Sequence, residues 1–180
     1  MILGNPYDFA VILDVVDKWN KADSYSFYNG ILAFYIDGEI FPNKMVNATL
    51  GSEVPNLVKQ FSQVPVNEKL FDMSKEDAFL KIHQITFPED IDVDNDYSYE
   101  ITPNCFGDIN CCVFAVSNGQ QVRVLASGLE YSLEEGRHEL DNIEIMEAIV
   151  SADDMAEVIS KLKTWNTQLI KMNMSYIDKA

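Results

Sequence analysis

Two β-forming runs meet at Asn118-Gly119, and no other stretch of the chain limits its fold as tightly. Cys-Cys-Val-Phe-Ala-Val-Ser runs from Cys111 to Ser117, and Gln-Gln-Val-Arg-Val-Leu-Ala from Gln120 to Ala126. Asn-Gly between β-branched and aromatic runs signals a two-residue hairpin turn, because a type I′ turn needs positive φ at both central residues. With that turn Ser117 faces Gln120. The pairs running outward then put Cys111, Val113, Ala115, Val122, Val124 and Ala126 on one face. The other face carries Cys112, Phe114, Val116, Gln121, Arg123 and Leu125. One face is wholly apolar and the other mostly so, which predicts a central hairpin covered on one side and partly covered on the other.

Strands are expected from Tyr7 to Val16 and from Phe27 to Ile36, the second turned by Asp37-Gly38 into Glu39-Ile40-Phe41 and ended by Pro42. A short strand at Asn47 to Leu50 precedes a helix capped by Ser52, with Val54, Leu57, Val58 and Phe61 at helical spacing. Ser74 opens a second helix with Asp77 as its capping-box acid and Ala78, Phe79, Ile82 and Ile85 as its apolar stripe. Tyr97, Tyr99 and Ile101 alternate as a strand, and Leu129 to Leu133 reads as a short edge strand. Glu134 to Asn142 reads as exposed, and Ile143 to Val150 as a further strand. Ser151 caps the last helix, whose buried face is Met155, Val158, Ile159, Leu162, Trp165 and Leu169. No βαβ rhythm links these elements. The fold class is α+β, a mostly antiparallel β-sheet with about three helices packed mainly on one side. One domain over residues 1–172 is expected, followed by a frayed tail at 173–180.

Charge sets the functional argument. The chain has 29 acidic against 13 basic residues, and 17 of the acids face only Arg123 and Arg137 between residues 82 and 160. Concentrated negative charge repels nucleic acid and anionic membrane, and it raises the on-rate of a basic protein partner. Two acidic segments stand out: Glu89, Asp90, Asp92, Asp94 and Asp96, and then Glu134, Glu135 and Glu139. Tyr97 and Tyr99 put aromatic area beside the first, the composition of an interface anchor and its rim. These ten residues form the candidate partner-binding set. Solubility alone is the plain alternative for the charge, and sheet cover for the tyrosines.

Chemistry-bearing patterns are weak. In the calcium-loop register that starts at Asp90, Asn95 stands where glycine is needed and Ile101 where a bidentate glutamate is needed. His83, His138 and the three cysteines show no zinc spacing, and neighbouring Cys111 and Cys112 point to opposite faces of a strand. No catalytic residue, metal or cofactor is therefore expected. A calcium-responsive binding module and a small Cys/His enzyme stand as the alternative functions. The longest apolar runs are far below the roughly 20 residues of a membrane span. The first residues lack a basic segment and include Asp8, unlike a signal peptide. With three cysteines, no disulfide framework is expected and the compartment is read as cytoplasmic.

Four motifs carry a family likeness. They are Gly4-Asn5-Pro6 with Tyr7 to Ala10, the Phe34-Tyr35-Ile36-Asp37-Gly38-Glu39-Ile40-Phe41-Pro42 hairpin, Asp94-Asn95-Asp96-Tyr97, and Phe114-Ala115-Val116-Ser117-Asn118-Gly119 leading into Val122-Arg123-Val124-Leu125. Over about Met1 to Lys163 the chain resembles the immunity protein 42 family of bacterial polymorphic toxin systems. The resemblance supplies no catalytic residue. It implies a stoichiometric cytoplasmic inhibitor of a cognate toxin C-terminal domain. With the charge, it suggests a basic toxin, plausibly a nuclease, met by the acidic segments.

Overall fold

A computed structural model describes residues 1–20 and 28–177, with side chains described as far as Lys171. Strands β1 (Ile2–Gly4), β2 (Phe9–Val15), β3 (Asn29–Ile36) and β4 (Glu39–Phe41) form an antiparallel sheet in that order, and β5 (Asn47–Thr49) pairs with the start of β3. Phe27, expected to open β3, lies outside the described residues. Positive φ at both Asp37 and Gly38 turns β3 into β4 as the Asp-Gly pair requires. Helix α1 (Leu50–Phe61) follows, capped one turn earlier than expected. Thr49 holds the cap position, and Ser52 is already inside, its hydroxyl donating to the Thr49 carbonyl. A single-turn α2 (Glu68–Phe71) leads to α3 (Lys75–Thr86), where Ser74 Oγ accepts from Asp77 N and donates to the Asp77 carboxylate. Ser74 is thus the expected cap, with Asp77 bound back to its hydroxyl in place of the backbone amide that a full capping box would use.

A short α4 (Asn104–Gly107) hangs from buried Glu53 of α1, whose two carboxylate oxygens accept from Asn104 N and Cys105 N. Burial raises the Glu53 pKa, against the two backbone amides that lower it. The central hairpin is β6 (Cys111–Ser117) and β7 (Gln121–Gly128), joined on its β7 side by β10 (Met146–Ser151). Between them in sequence β8 (Glu130–Ser132) and β9 (Arg137–Glu139) make a separate small hairpin, so the segment Glu134 to Asn142 is mostly exposed as expected and also contains a strand. Helix α5 (Ala152–Ile177) closes the chain, with Ser151 Oγ accepting from Asp154 N. Met155, Val158, Leu162, Trp165 and Leu169 are its buried face and Ile159 packs at its edge, as the helical period predicts.

The hairpin register differs from the expected one by two residues. Ser117 pairs with Val122, Val113 with Ala126 and Cys111 with Gly128. Asn118 is not a central turn residue: its Oδ1 accepts from both Gln120 N and Gln121 N, and its own amide donates to the Gln121 carbonyl. The turn centres on Gly119-Gln120, with Gly119 at φ +93° supplying the left-handed backbone that glycine adopts without strain. Because side chains alternate with period two, the shift leaves every residue on its predicted face.

Both faces of that hairpin are buried, where partial cover was expected for one. Val113, Ala115, Val124 and Ala126 face a core shared with the five-stranded sheet, α1, α4 and α5, where Phe9, Phe34, Phe61 and Phe106 meet ring to ring. Cys112, Phe114, Val116 and Leu125 face a second core built with α3 through Phe79 and Ile82.

Candidate partner-binding site

The acidic segment after α3 is an exposed loop anchored to the end of that helix. Asn95 Nδ2 donates to the Thr86 carbonyl at 2.7 Å and Asp96 N to the Ile85 carbonyl at 3.1 Å. Asp90 Oδ1 accepts from Asp92 N, and Asp96 Oδ1 from Ser98 N, so two of the four aspartates fold the loop by closing Asx turns. Glu89, Asp90, Asp92, Asp94 and Asp96 are all solvent-exposed. Downstream, the expected Tyr97–Ile101 strand is reduced to one bridge, Glu100 with Phe114, because a turn at Tyr97–Glu100 interrupts the pairing.

The β8–β9 hairpin stands beside this loop. Its cross-strand pairs are Glu130 with Glu139, Tyr131 with His138 and Ser132 with Arg137. Arg137 Nε donates to Glu135 Oε2 at 2.6 Å and its Nη1 pairs with Glu89 Oε1, so one guanidinium ties the two predicted acidic segments together. Glu134 and Glu139 are exposed on the same hairpin. Directly opposed like charges such as Glu130 and Glu139 destabilise a strand pair.

Apolar side chains stand among these acids. Ile91 is 97% and Leu133 90% exposed, with Val93, Tyr97 and Tyr131 also open to solvent. Sequence reasoning overlooked Ile91, Val93, Tyr131 and Leu133; their signal was a run of large apolar residues alternating with acids at no buried period. Tyr97 meets Phe87 edge-on with ring centroids 6.2 Å apart. Tyr99 differs from it: half-buried against the second core, it accepts a hydrogen bond on its hydroxyl from Asn67 Nδ2. Between α3 and the small hairpin opens a cleft of about 1050 Å³, lined by Leu80, His83, Phe87, Tyr131, His138 and Leu140 among others.

At the floor of the cleft His83 Nε2 and His138 Nδ1 lie 3.0 Å apart. Burial, and then the His138 charge, lowers the His83 pKa to about 4, and burial lowers that of His138 as well, so the pair is neutral at pH 7. Cys112 Sγ completes a cluster in which the three ligand-type atoms lie within 4.8 Å of one another. Sequence spacing could not show this, since α3, β6 and β9 supply one residue each. Burial pushes the Cys105 and Cys112 thiols up to about 12 and raises Cys111, holding all three protonated. Protonated thiols are poor nucleophiles.

The profile of the family described as Immunity protein 42 matches residues 1–165, a span that holds both cores, the acidic loop and the small hairpin. The chain belongs to the immunity protein 42 family. It is therefore an immunity protein, a binding inhibitor of a toxin protein. A crystal structure of CdiI from Burkholderia dolosa AUO158 superposes on this immunity protein with a TM-score of 0.72 at 20% identity, covering 91% of this chain and 99% of that one. At that identity the likeness is one of fold. No curated protein matches. Among the described residues no helix is long and apolar enough to cross a membrane.

Proposed function

We propose that this immunity protein neutralises a cognate toxin C-terminal domain one-to-one in the cytoplasm, as part of a contact-dependent inhibition system. Its contact surface is the acidic loop Glu89–Tyr97 together with the β8–β9 hairpin, and the toxin is a basic protein, most simply a nuclease. The observation that carries this reading is the adjacency of the two acidic segments at Arg137. Exposed Ile91, Val93, Tyr97, Tyr131 and Leu133 supply apolar anchors inside a charged surround, the anatomy of a protein interface. Glu130 opposite Glu139 costs stability in the free protein, and a cationic partner would relieve that cost. A nuclease cleft built to hold phosphates attracts such carboxylates at long range, so the inhibitor competes with the polyanionic substrate for the same charges.

Reversing the charge of Asp92, Asp94 and Asp96 to lysine tests this. Stopped-flow association with the cognate toxin domain should slow by about tenfold or more at low salt and become less salt-dependent. The same reversal at exposed Glu39, on the five-stranded sheet, should change little. An association rate and salt response equal to wild type in the triple variant would remove the loop from the interface.

A further inference from the structure

Three segments remote in sequence deliver a nitrogen, nitrogen and sulfur set to one point. His83 comes from α3, His138 from β9 and Cys112 from β6, and their Nε2, Nδ1 and Sγ atoms all lie within 4.8 Å of one another. We propose that His83, His138 and Cys112 form a zinc site whose fourth position opens into the cleft between α3 and the β8–β9 hairpin. The site stands apart from the toxin-facing reading and does not depend on it.

The dimensions fit. Zinc bonds of about 2.0–2.1 Å to nitrogen and about 2.3 Å to sulfur set tetrahedral edges of roughly 3.4 Å between two nitrogens and roughly 3.6 Å from nitrogen to sulfur. The facing imidazole nitrogens, 3.0 Å apart, need to open by only a few tenths of an ångström. Two imidazoles with one thiolate also form a borderline-soft donor set that suits zinc and disfavours magnesium or calcium. The rings are held for this task by aromatic neighbours. Phe79 stacks against His83 with ring centroids 6.4 Å apart, and Phe87 and Tyr131 each approach His138 edge-on at 5.6 Å. Cys112 sits behind them in the apolar wall, while both histidines line the cleft, so solvent or a partner's side chain reaches the metal from one side only.

A hydrogen-bonded histidine pair would satisfy its own nitrogens without a metal, and that is the plain rival. It gives no reason for a thiol at the third corner. Proton balance for loading is simple. The imidazole that donates within the pair moves its proton to its other ring nitrogen, Cys112 releases one proton to solvent, and the zinc–sulfur bond replaces the S–H bond. No electron is transferred.

Titration of the full-length, chelator-treated protein with Co²⁺ and Zn²⁺ tests the site. One equivalent of Co²⁺ should bind with release of one proton and a thiolate-to-cobalt charge-transfer band in the near ultraviolet, and one equivalent of Zn²⁺ should then abolish that band with no further proton release. Cys112→Ser should lose the band, whereas Cys105→Ser should keep it. His138→Gln, on a surface hairpin where folding is easily verified by circular dichroism, should weaken zinc binding by at least about 100-fold, more than the loss of an outer-shell partner costs. Uptake without the band is binding by surface carboxylates and overturns the proposal, as does a band that survives Cys112→Ser or an affinity that survives His138→Gln.

Discussion

At the scale of single residues, Arg123 shows most clearly what the interior demands. It is buried in the sheet, where Nη1 donates to the carbonyls of Phe71 and Met73 at 2.7 Å and Nε to Glu147 Oε1 at 2.5 Å. One guanidinium therefore fixes the end of α2 to β7 and β10. The sequence placed Arg123 as the one cation on a mostly apolar face. It could not name the partners, because two of them are backbone carbonyls some 50 positions away and carry no side-chain signature. Arg123→Met should lower unfolding free energy by about 2–4 kcal/mol, since it leaves two carbonyls without their donor and the half-buried Glu147 without its partner. Arg123→Lys should recover only part of that, having a point charge in place of a fork. The double variant Arg123→Met/Glu147→Met should be more stable than Arg123→Met alone, because the half-buried Glu147 carboxylate is then no longer left without its partner. Urea midpoints for the three variants decide the matter.

At the scale of elements, most of the chain was legible because amphipathic period and capping chemistry act locally. The α5 stripe, the Ser74 and Ser151 caps and the Asp37-Gly38 turn all follow from neighbours in sequence. What failed depended on partners. Register at Asn118 was decided by a side-chain oxygen that captured two backbone amides, and β9 exists only because β8 lies beside it. The candidate site divides the same way: its acids were visible as composition, whereas the His83–His138–Cys112 cluster arises only from packing. Gly30 is a third case. It sits inside β3 between Val15 and Ala48, and an added Cβ would lie 2.1 Å from the Asp14 carbonyl oxygen and 2.6 Å from Leu50 Cδ1. The close approach of β2 and α1 to β3 requires glycine there, since the Asp14 contact is backbone and cannot step aside. Gly30→Ala should therefore cost about 3 kcal/mol or more through overpacking. Gly107→Ala, with open space around the new methyl group, should fall within about 1 kcal/mol of wild type. Thermal unfolding of the pair separates crowding from any general intolerance of alanine.

At the scale of the whole molecule, one hairpin divides two cores. Strands β6 and β7 send alternate side chains to opposite sides, so each core loses a wall if the hairpin opens. The acidic loop and the small hairpin both extend from the α3 side, which ties the partner-binding surface to the second core in particular. A surface meant to meet its partner without rearranging needs that core to be as stable as the first. Shared walls make the two cores a single cooperative unit. Trp165 reports on the first core and Cys112 on the second, both being buried. In a variant with Trp19→Phe, Cys105→Ser and Cys111→Ser, kept free of metal by a chelator, fluorescence and thiol exposure should give one urea midpoint and one m-value. Thiol exposure well below the fluorescence midpoint would mean that α3 and its core melt separately. The contact surface would then be a loosely held appendage, and the toxin would have to order it on binding.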